Sequence, residues 1–221
     1  CAPLPGLSPE LTDTFEQELL LAVQKLEAID NLRQIRLQEI THHSSLLFAF
    51  ETGLMQLQRQ GAWQENSLFG NGKTGITING LIWMGSYPFM LRQLEEKLAA
   101  GFRCIKIKIG NIDFDQELTL LKRIRREFAY QDIELRVDAN GAFSPNEALE
   151  KLKRLSEWNI HSIEQPIAAG QWDRMAYLVH ESPIPIALDE ELIGIHTKEE
   201  KQILLQTIRP HYIILKPSLH G

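Results

Sequence analysis

Residues 135–143 read Leu-Arg-Val-Asp-Ala-Asn-Gly-Ala-Phe (LRVDANGAF), and this stretch decides the fold. A short apolar, β-branched run ends in Asp138, and Ala139-Asn140-Gly141 then turns the chain away. Ser144-Pro145-Asn146-Glu147 opens a helical pattern, with Ser144 as N-cap and Pro145 at the first helical position, where a missing N–H costs nothing. Asp138 therefore stands at the carboxyl end of a strand, where a loop to a helix begins. The same event recurs along the chain. KIKIG delivers Lys108, HSIEQP delivers Glu164, PIALDE delivers Asp189 and HYIILKPS delivers Lys216. Short apolar runs that each end in a charged residue, with helices between them, are how a (β/α) barrel builds an active site on one face.

Working outward, six strands are predicted, at 76–83, 104–109, 134–137, 162–164, 186–188 and 212–215. Helices are predicted between them at 87–100, 113–128, 146–158, 172–181 and 197–207, with Thr197 and Glu200 forming a capping box. Strands alternating with helices of this length imply parallel βαβ units. Before them, 11–28 and 44–60 carry helical spacing, with Leu11, Phe15, Leu19, Leu20, Val23 and Leu26 facing inward on the first. Leu46, Leu47, Phe50, Leu54 and Leu57 do so on the second, and Gly61 ends it. Residues 31–37 are weakly helical, and the polar, Gly-rich segment 64–73 reads as a linker. The domain boundary is placed near Gly72, giving a helical segment 1–72 and a barrel segment 73–221. An eight-stranded barrel takes about 250 residues, so strands 7 and 8 are expected to lie outside this sequence.

Composition narrows the function classes. The net charge of −6, with no basic tail, argues against a nucleic-acid partner. Cys1 and Cys104 are the only cysteines, which is no disulfide framework and makes a reducing, cytoplasmic setting the default. No apolar run approaches the roughly 20 residues of a membrane span. Residues 70–74, GNGKT, lack the first glycine of a phosphate loop (position 67 is Ser67) and precede a strand, so nucleotide binding is not expected there. Nothing in the sequence fixes an oligomeric state.

The five strand-end charges are separated by 30, 26, 25 and 27 residues, each gap about one βα unit. Neighbouring parallel strands lie about 4.8 Å apart, so the side chains converge. A single Asp or Lys at a strand end is ordinarily a solvated loop residue, but the ordered set Lys108, Asp138, Glu164, Asp189, Lys216 is not a chance arrangement. Three converging carboxylates repel one another unless a counter-charge is present, and an all-oxygen donor set favours Mg²⁺, with Mn²⁺ as a substitute. A lysine close to a cation has its pKa lowered and serves as a base near neutrality.

The ordered motifs IKIKIG, LRVDANGAF, SIEQPI, IALDEEL and IILKPS resemble the enolase superfamily, in its muconate-lactonising-enzyme-like branch. Within that branch, CAPLPGLSPE, INGLIWMG and LKPSLHG are most similar to the dehydratases that form o-succinylbenzoate in menaquinone biosynthesis. The resemblance implies a (β/α) barrel, with about six strands present here, preceded by part of an α+β capping domain. It also implies that Asp138, Glu164 and Asp189 hold Mg²⁺, and that Lys108 removes a proton α to a carboxylate of a small-molecule substrate. The metal then stabilises the enediolate; enolase-superfamily sites are a standard example of this chemistry. Lys216 matches the lysine on the opposite face, and Lys106 stands beside Lys108 and depresses its pKa. Asn140 and Arg136 match polar residues near the metal shell, and Glu190 orients Lys216. Two rivals remain: an epimerase or racemase of dipeptides or N-acylamino acids on the same scaffold, and a non-catalytic scaffold.

Overall fold

The computed structural model describes residues 3–31, 35–59 and 67–220. The chain divides into two compact units. The first comprises residues 1–76, 192–201 and 215–221, and the second comprises 77–191 and 202–214.

The second unit holds a six-stranded, all-parallel sheet in the order β1-β2-β3-β4-β5-β6. Its strands are β1 (Gly80–Ile82), β2 (Cys104–Lys108), β3 (Glu134–Asp138), β4 (Ile160–Glu164), β5 (Ile186–Leu188) and β6 (Tyr212–Ile213). Because strand side chains alternate, each strand has two separate tasks. Ile105, Ile107, Leu135, Val137, Ile163, Ile186 and Leu188 are buried on one parity. The other parity carries Lys106, Lys108, Arg136, Asp138, Ser162 and Glu164, and the register pairs Lys108 with Asp138 and Asp138 with Glu164.

Helices α3 (Tyr87–Ala99), α4 (Phe114–Glu127), α5 (Pro145–Ser156) and α6 (Trp172–Glu181) connect successive strands and bury Met90, Leu94, Leu120, Leu121, Ile124, Leu152, Leu155 and Met175. Pro145 opens α5 as the sequence predicts, although the Ser144 hydroxyl donates to the Glu147 carboxylate at 2.9 Å and caps no backbone N–H. Asp113 does cap α4, accepting from the N–H groups of Asp115 and Gln116. The edge strand β1 is shorter than predicted. Ile76 and Ile78 lie exposed, because β2 begins at Cys104 and offers no pairing partner so far upstream. At the other edge, pairing ends with Ile213, and Leu215 is exposed.

The first unit contains α1 (Phe15–Glu27), α2 (Ser44–Gln58) and the short α8 (Pro217–His220), which follows β6 in the chain. The inward faces predicted for α1 and α2 need correction. Ala22 is the buried residue of α1, while Leu11 and Leu20 are exposed, and on α2 Leu46 and Leu47 are buried but Leu57 is exposed. Their apolar stripes are wider than the surface that covers them. The predicted helix end at Gly61 lies outside the described residues, as do residues 32–34 of the 31–37 segment, and Leu37–Glu39 forms a single tight turn. Helix α7 (Lys198–Ile208) starts within the first unit, and the predicted capping box is present. Thr197 N–H donates to Glu200 Oε2 and Glu200 N–H donates to Thr197 Oγ1, each at 3.1 Å. No helix among the described residues is long and apolar enough to cross a membrane.

Candidate active site

At the carboxyl ends of β2, β3 and β4, two lysines meet two carboxylates. Lys108 Nζ donates to Asp138 Oδ2 at 2.6 Å and to Asn140 Oδ1 at 2.7 Å. Lys106 Nζ lies 2.9 Å from the same Asp138 oxygen and donates to Glu164 Oε2 at 2.5 Å. Both ammonium groups thus share one carboxylate oxygen, which places them side by side. Asp138 and Asp189 are fully buried and Glu164 is nearly so. The Lys108 ammonium also sits over the Trp83 ring, 5.7 Å from its centre. The Trp83 backbone is held in turn by the Gln93 side chain, which accepts from its N–H and donates to its carbonyl, both at 3.0 Å.

Burial and pairing pull these groups apart. Burial raises Asp138, but hydrogen bonds from Glu164, Lys108 and Lys106 outweigh it and hold the carboxyl below its ordinary range. Glu164 goes the other way: burial first, and then the adjacent Asp138, push it up to about 8. Burial opposes the charge on Lys106, yet its bonds to Glu164 and Asp138 prevail and raise its pKa.

The turn after β3 depends on a backbone shape few residues accept. Asn140 and Gly141 both have positive φ, 44° and 75°. A Cβ on Gly141 would stand 2.9 Å from Ala168 Cα, so only glycine fits. Asn140 N–H donates to Asp138 Oδ1, and its side-chain amide donates to Glu190 Oε1 at 2.8 Å.

Of the residues singled out in the sequence, Lys106, Lys108, Asp138, Asn140, Glu164 and Glu190 form one connected network. Asp189 lies two residues beyond Ala187, the register partner of Glu164, and its N–H donates to Gln165 Oε1 at 3.2 Å. Arg136 is directed elsewhere, donating to Glu134 Oε1 at 2.6 Å with its side chain half exposed. Lys216 follows β6 in the chain and belongs to the first unit. Among the described residues, no three His, Cys, Asp or Glu side chains close round one point as metal ligands do. The donor set nonetheless fits a hard divalent cation in its chemistry. It is all-oxygen and buried, and the Lys106 ammonium already bridges Asp138 and Glu164 as a cation would.

Sequence reasoning missed several supporting residues. Gln165 and Glu191 are buried between the loops that follow β4 and β5. Glu117 is buried on α4, and its Oε1 accepts from the N–H groups of Gly110, Asn111 and Ile112, holding the loop after Lys108. Gln165 and Glu191 stand inside the quoted motifs SIEQPI and IALDEEL, a signal that was available.

The enolase C-terminal domain-like family matches residues 90–201, just over half of the 221 residues. The chain belongs to that family. Among its relatives, the o-succinylbenzoate synthase of Desulfotalea psychrophila is 55% identical over 179 residues, 80% of this chain and 48% of that protein. The crystal structure of MenC from Desulfotalea psychrophila LSv54 superposes with a TM-score of 0.76 at 40% identity, covering 100% of this chain and 69% of that one. The hydrophobic dipeptide epimerase of Enterococcus faecalis is 31% identical over 101 residues, 46% of this chain and 28% of that protein. The chain thus spans about half the length of the curated relatives it matches. Membership accounts for the all-parallel sheet with helices between its strands.

Proposed function

We propose that the protein is a Mg²⁺-dependent dehydratase that converts 2-succinyl-6-hydroxy-2,4-cyclohexadiene-1-carboxylate to o-succinylbenzoate and water in menaquinone biosynthesis. The observation that carries this is the Lys108 ammonium, held at 2.6 Å and 2.7 Å by Asp138 and Asn140 at the mouth of a buried carboxylate cluster. The 55% identity to a protein named o-succinylbenzoate synthase, against 31% over a shorter span for the epimerase, supports dehydration over epimerisation.

Asp138, Glu164 and Asp189 would hold the divalent cation, which supplies the positive charge that stabilises the carbanion formed next to the substrate carboxylate. Mn²⁺ is a substitute of the same donor preference. Lys108, as the free amine, takes the proton α to that carboxylate. The electron pair left behind forms the ring double bond as the hydroxyl departs from the neighbouring carbon. The proton now on Lys108 goes to that hydroxyl, so the products are the aromatic diacid and water, and the lysine returns to its starting state. Asn140 keeps the Lys108 amine aimed, and Lys106 holds positive charge beside it. Lys216 is assigned by its IILKPS motif alone: as an ammonium it would stabilise the carbanion by charge, and Glu190 would orient it. Arg136 has no part in these steps.

On this reading residues 1–72 belong to a capping domain and 73–221 to the barrel, so 192–201 and 215–221 are barrel residues grouped here with the first compact unit. The protein would act in the cytoplasm on a small carboxylate, with no nucleic-acid partner.

The test is a substrate contest. The cyclohexadiene acid, an N-succinylamino acid and a hydrophobic dipeptide are each offered with Mg²⁺, and kcat/KM is compared. Dehydration at least a hundredfold more efficient than either epimerisation is expected. The reverse order would assign the protein to the isomerases. In an epimerase Lys216 must also return a proton, so Lys216→Ala would abolish epimerisation while Lys108 still exchanges the α-proton of one epimer with solvent deuterium.

A further inference from the structure

Gln165 occupies a backbone conformation that glutamine rarely adopts, with φ at +39°, and it is fully buried. Its polar groups explain why the chain holds it there. The backbone N–H donates to Ala187 O at 2.9 Å, and the backbone carbonyl accepts from Gly141 N–H at 2.7 Å. In the side chain, Oε1 accepts from the N–H groups of Asp189 at 3.2 Å and Glu191 at 3.4 Å. Nε2 donates to Ile167 O at 2.9 Å and to Glu191 Oε2 at 3.0 Å. The second Glu191 oxygen accepts from Gly170 N–H at 2.7 Å. One residue therefore ties together the loops after β3, β4 and β5, the three loops that begin at Asp138, Glu164 and Asp189.

We propose that Gln165 and Glu191 form a positioning hub that sets the spacing of the three strand-end carboxylates and so determines how tightly the cluster holds a divalent cation. This rests on the proposed metal-binding role of those carboxylates. Each carboxylate is the immediate neighbour of a backbone group that the hub fixes. Glu164 precedes Gln165, Asp189 donates directly to Gln165, and Asp138 is followed by Ala139, whose N–H donates to Glu164 O at 3.0 Å. A side chain of the same length without the amide fills the space but frees the β5 loop from the β4 loop. Outer partners of this kind change metal affinity by about 10–100-fold when removed.

The comparison that isolates the hub is with Arg125, which plays a similar stapling role at the amino ends of β3 and β4. Its guanidinium donates to the carbonyls of Ile133, Trp158 and Asn159 at 2.8, 2.8 and 3.0 Å. Mg²⁺ binding is measured by titration calorimetry on the wild type, Gln165→Met, Glu191→Gln, the charge-conserving exchange Gln165→Glu with Glu191→Gln, and Arg125→Leu. Thermal unfolding is recorded for each. The expected result is a roughly 10–100-fold weaker Kd for each single hub variant. The exchange, which reverses the polarity of the side-chain pair, should recover part of that loss. Arg125→Leu should lower Tm and leave Kd within about twofold. Unchanged Kd in the hub variants, or an equal loss in Arg125→Leu, overturns the proposal. So does failure of both single hub variants to fold, since the hub would then serve folding alone; if only Gln165→Met fails, Glu191→Gln decides. A wild type that binds Mg²⁺ through an intact hub yet performs no dehydration overturns the proposed reaction and leaves the hub standing.

Discussion

The two ends of the sheet's strands are built on opposite terms. At the amino ends, charged side chains are matched by partners of opposite polarity, and the left-handed residues Asn159 and Arg209 lie in the turns before β4 and β6. The Arg125 guanidinium meets three carbonyls, Arg136 meets Glu134, and His161 stacks on Tyr212. At the carboxyl ends, two carboxylates share one pocket, Asn140 and Gln165 take left-handed conformations, and the pKa values of neighbouring acids are driven apart. Acids with displaced pKa values concentrate at the carboxyl ends, and hydrogen bonds from the surrounding loops and lysines hold them there. One strand such as β3 serves both ends at once, with Glu134 in a surface ion pair and Asp138 in the cluster.

Breaking the carboxyl end should destroy activity while sparing the fold. Lys108→Met is expected to lower kcat for dehydration by about 10²–10⁴-fold, the usual contribution of a positioned base, with Tm shifted only slightly. Steady-state kinetics and thermal unfolding on one preparation check both halves.

Breaking the packing between the ends should do the reverse. Leu152 on α5 is fully buried, and Leu152→Ala is expected to cost about 2–5 kcal/mol in denaturant unfolding while kcat at a temperature well below Tm is kept. A matching loss of kcat would mean that the site is not insulated from the core.

Arg125→Leu sharpens the contrast at smaller amplitude. It leaves three carbonyls without their charged donor, and a loss of about 1.5–3 kcal/mol is expected, again with kcat unchanged.

The smallest effect concerns Cys104, at the amino end of β2. Burial, more than any neighbour, pushes its thiol up to about 11, because the thiolate is the form disfavoured away from water. Alkylation by iodoacetamide should therefore be slow at pH 8 and quicken only as pH approaches 11. Rapid modification at pH 8 would show that this end of the sheet is more open than its packing indicates.

The order of elements and the network around Lys108 were legible in the sequence because both follow short-range rules. Alternation sets which strand residues are buried, and Ser144-Pro145 and Thr197-x-x-Glu200 mark helix starts from local chemistry alone. The extent of β1 was not legible, because the end of an edge strand is decided by where its partner begins, at Cys104. The faces of α1 and α2 were misread because periodicity reports which residues are apolar and not how much surface is there to cover them, as Leu20 and Leu57 show. Gln165 stands inside the SIEQPI motif but was passed over, because its role does not come from its neighbours in sequence. Its importance comes from Glu191, 26 residues away in sequence but bonded to it across two strands. Arg136, expected near the metal shell, pairs with Glu134 two residues back on the same face of its strand.

The central claim is that the carboxylate cluster works with a divalent cation, and the most direct measurement is the ultraviolet absorbance of the cyclohexadiene acid as it is consumed by EDTA-stripped wild-type protein, before and after Mg²⁺ is added back. The account predicts no turnover in EDTA and restored turnover with Mg²⁺. Full activity in the stripped protein would contradict it.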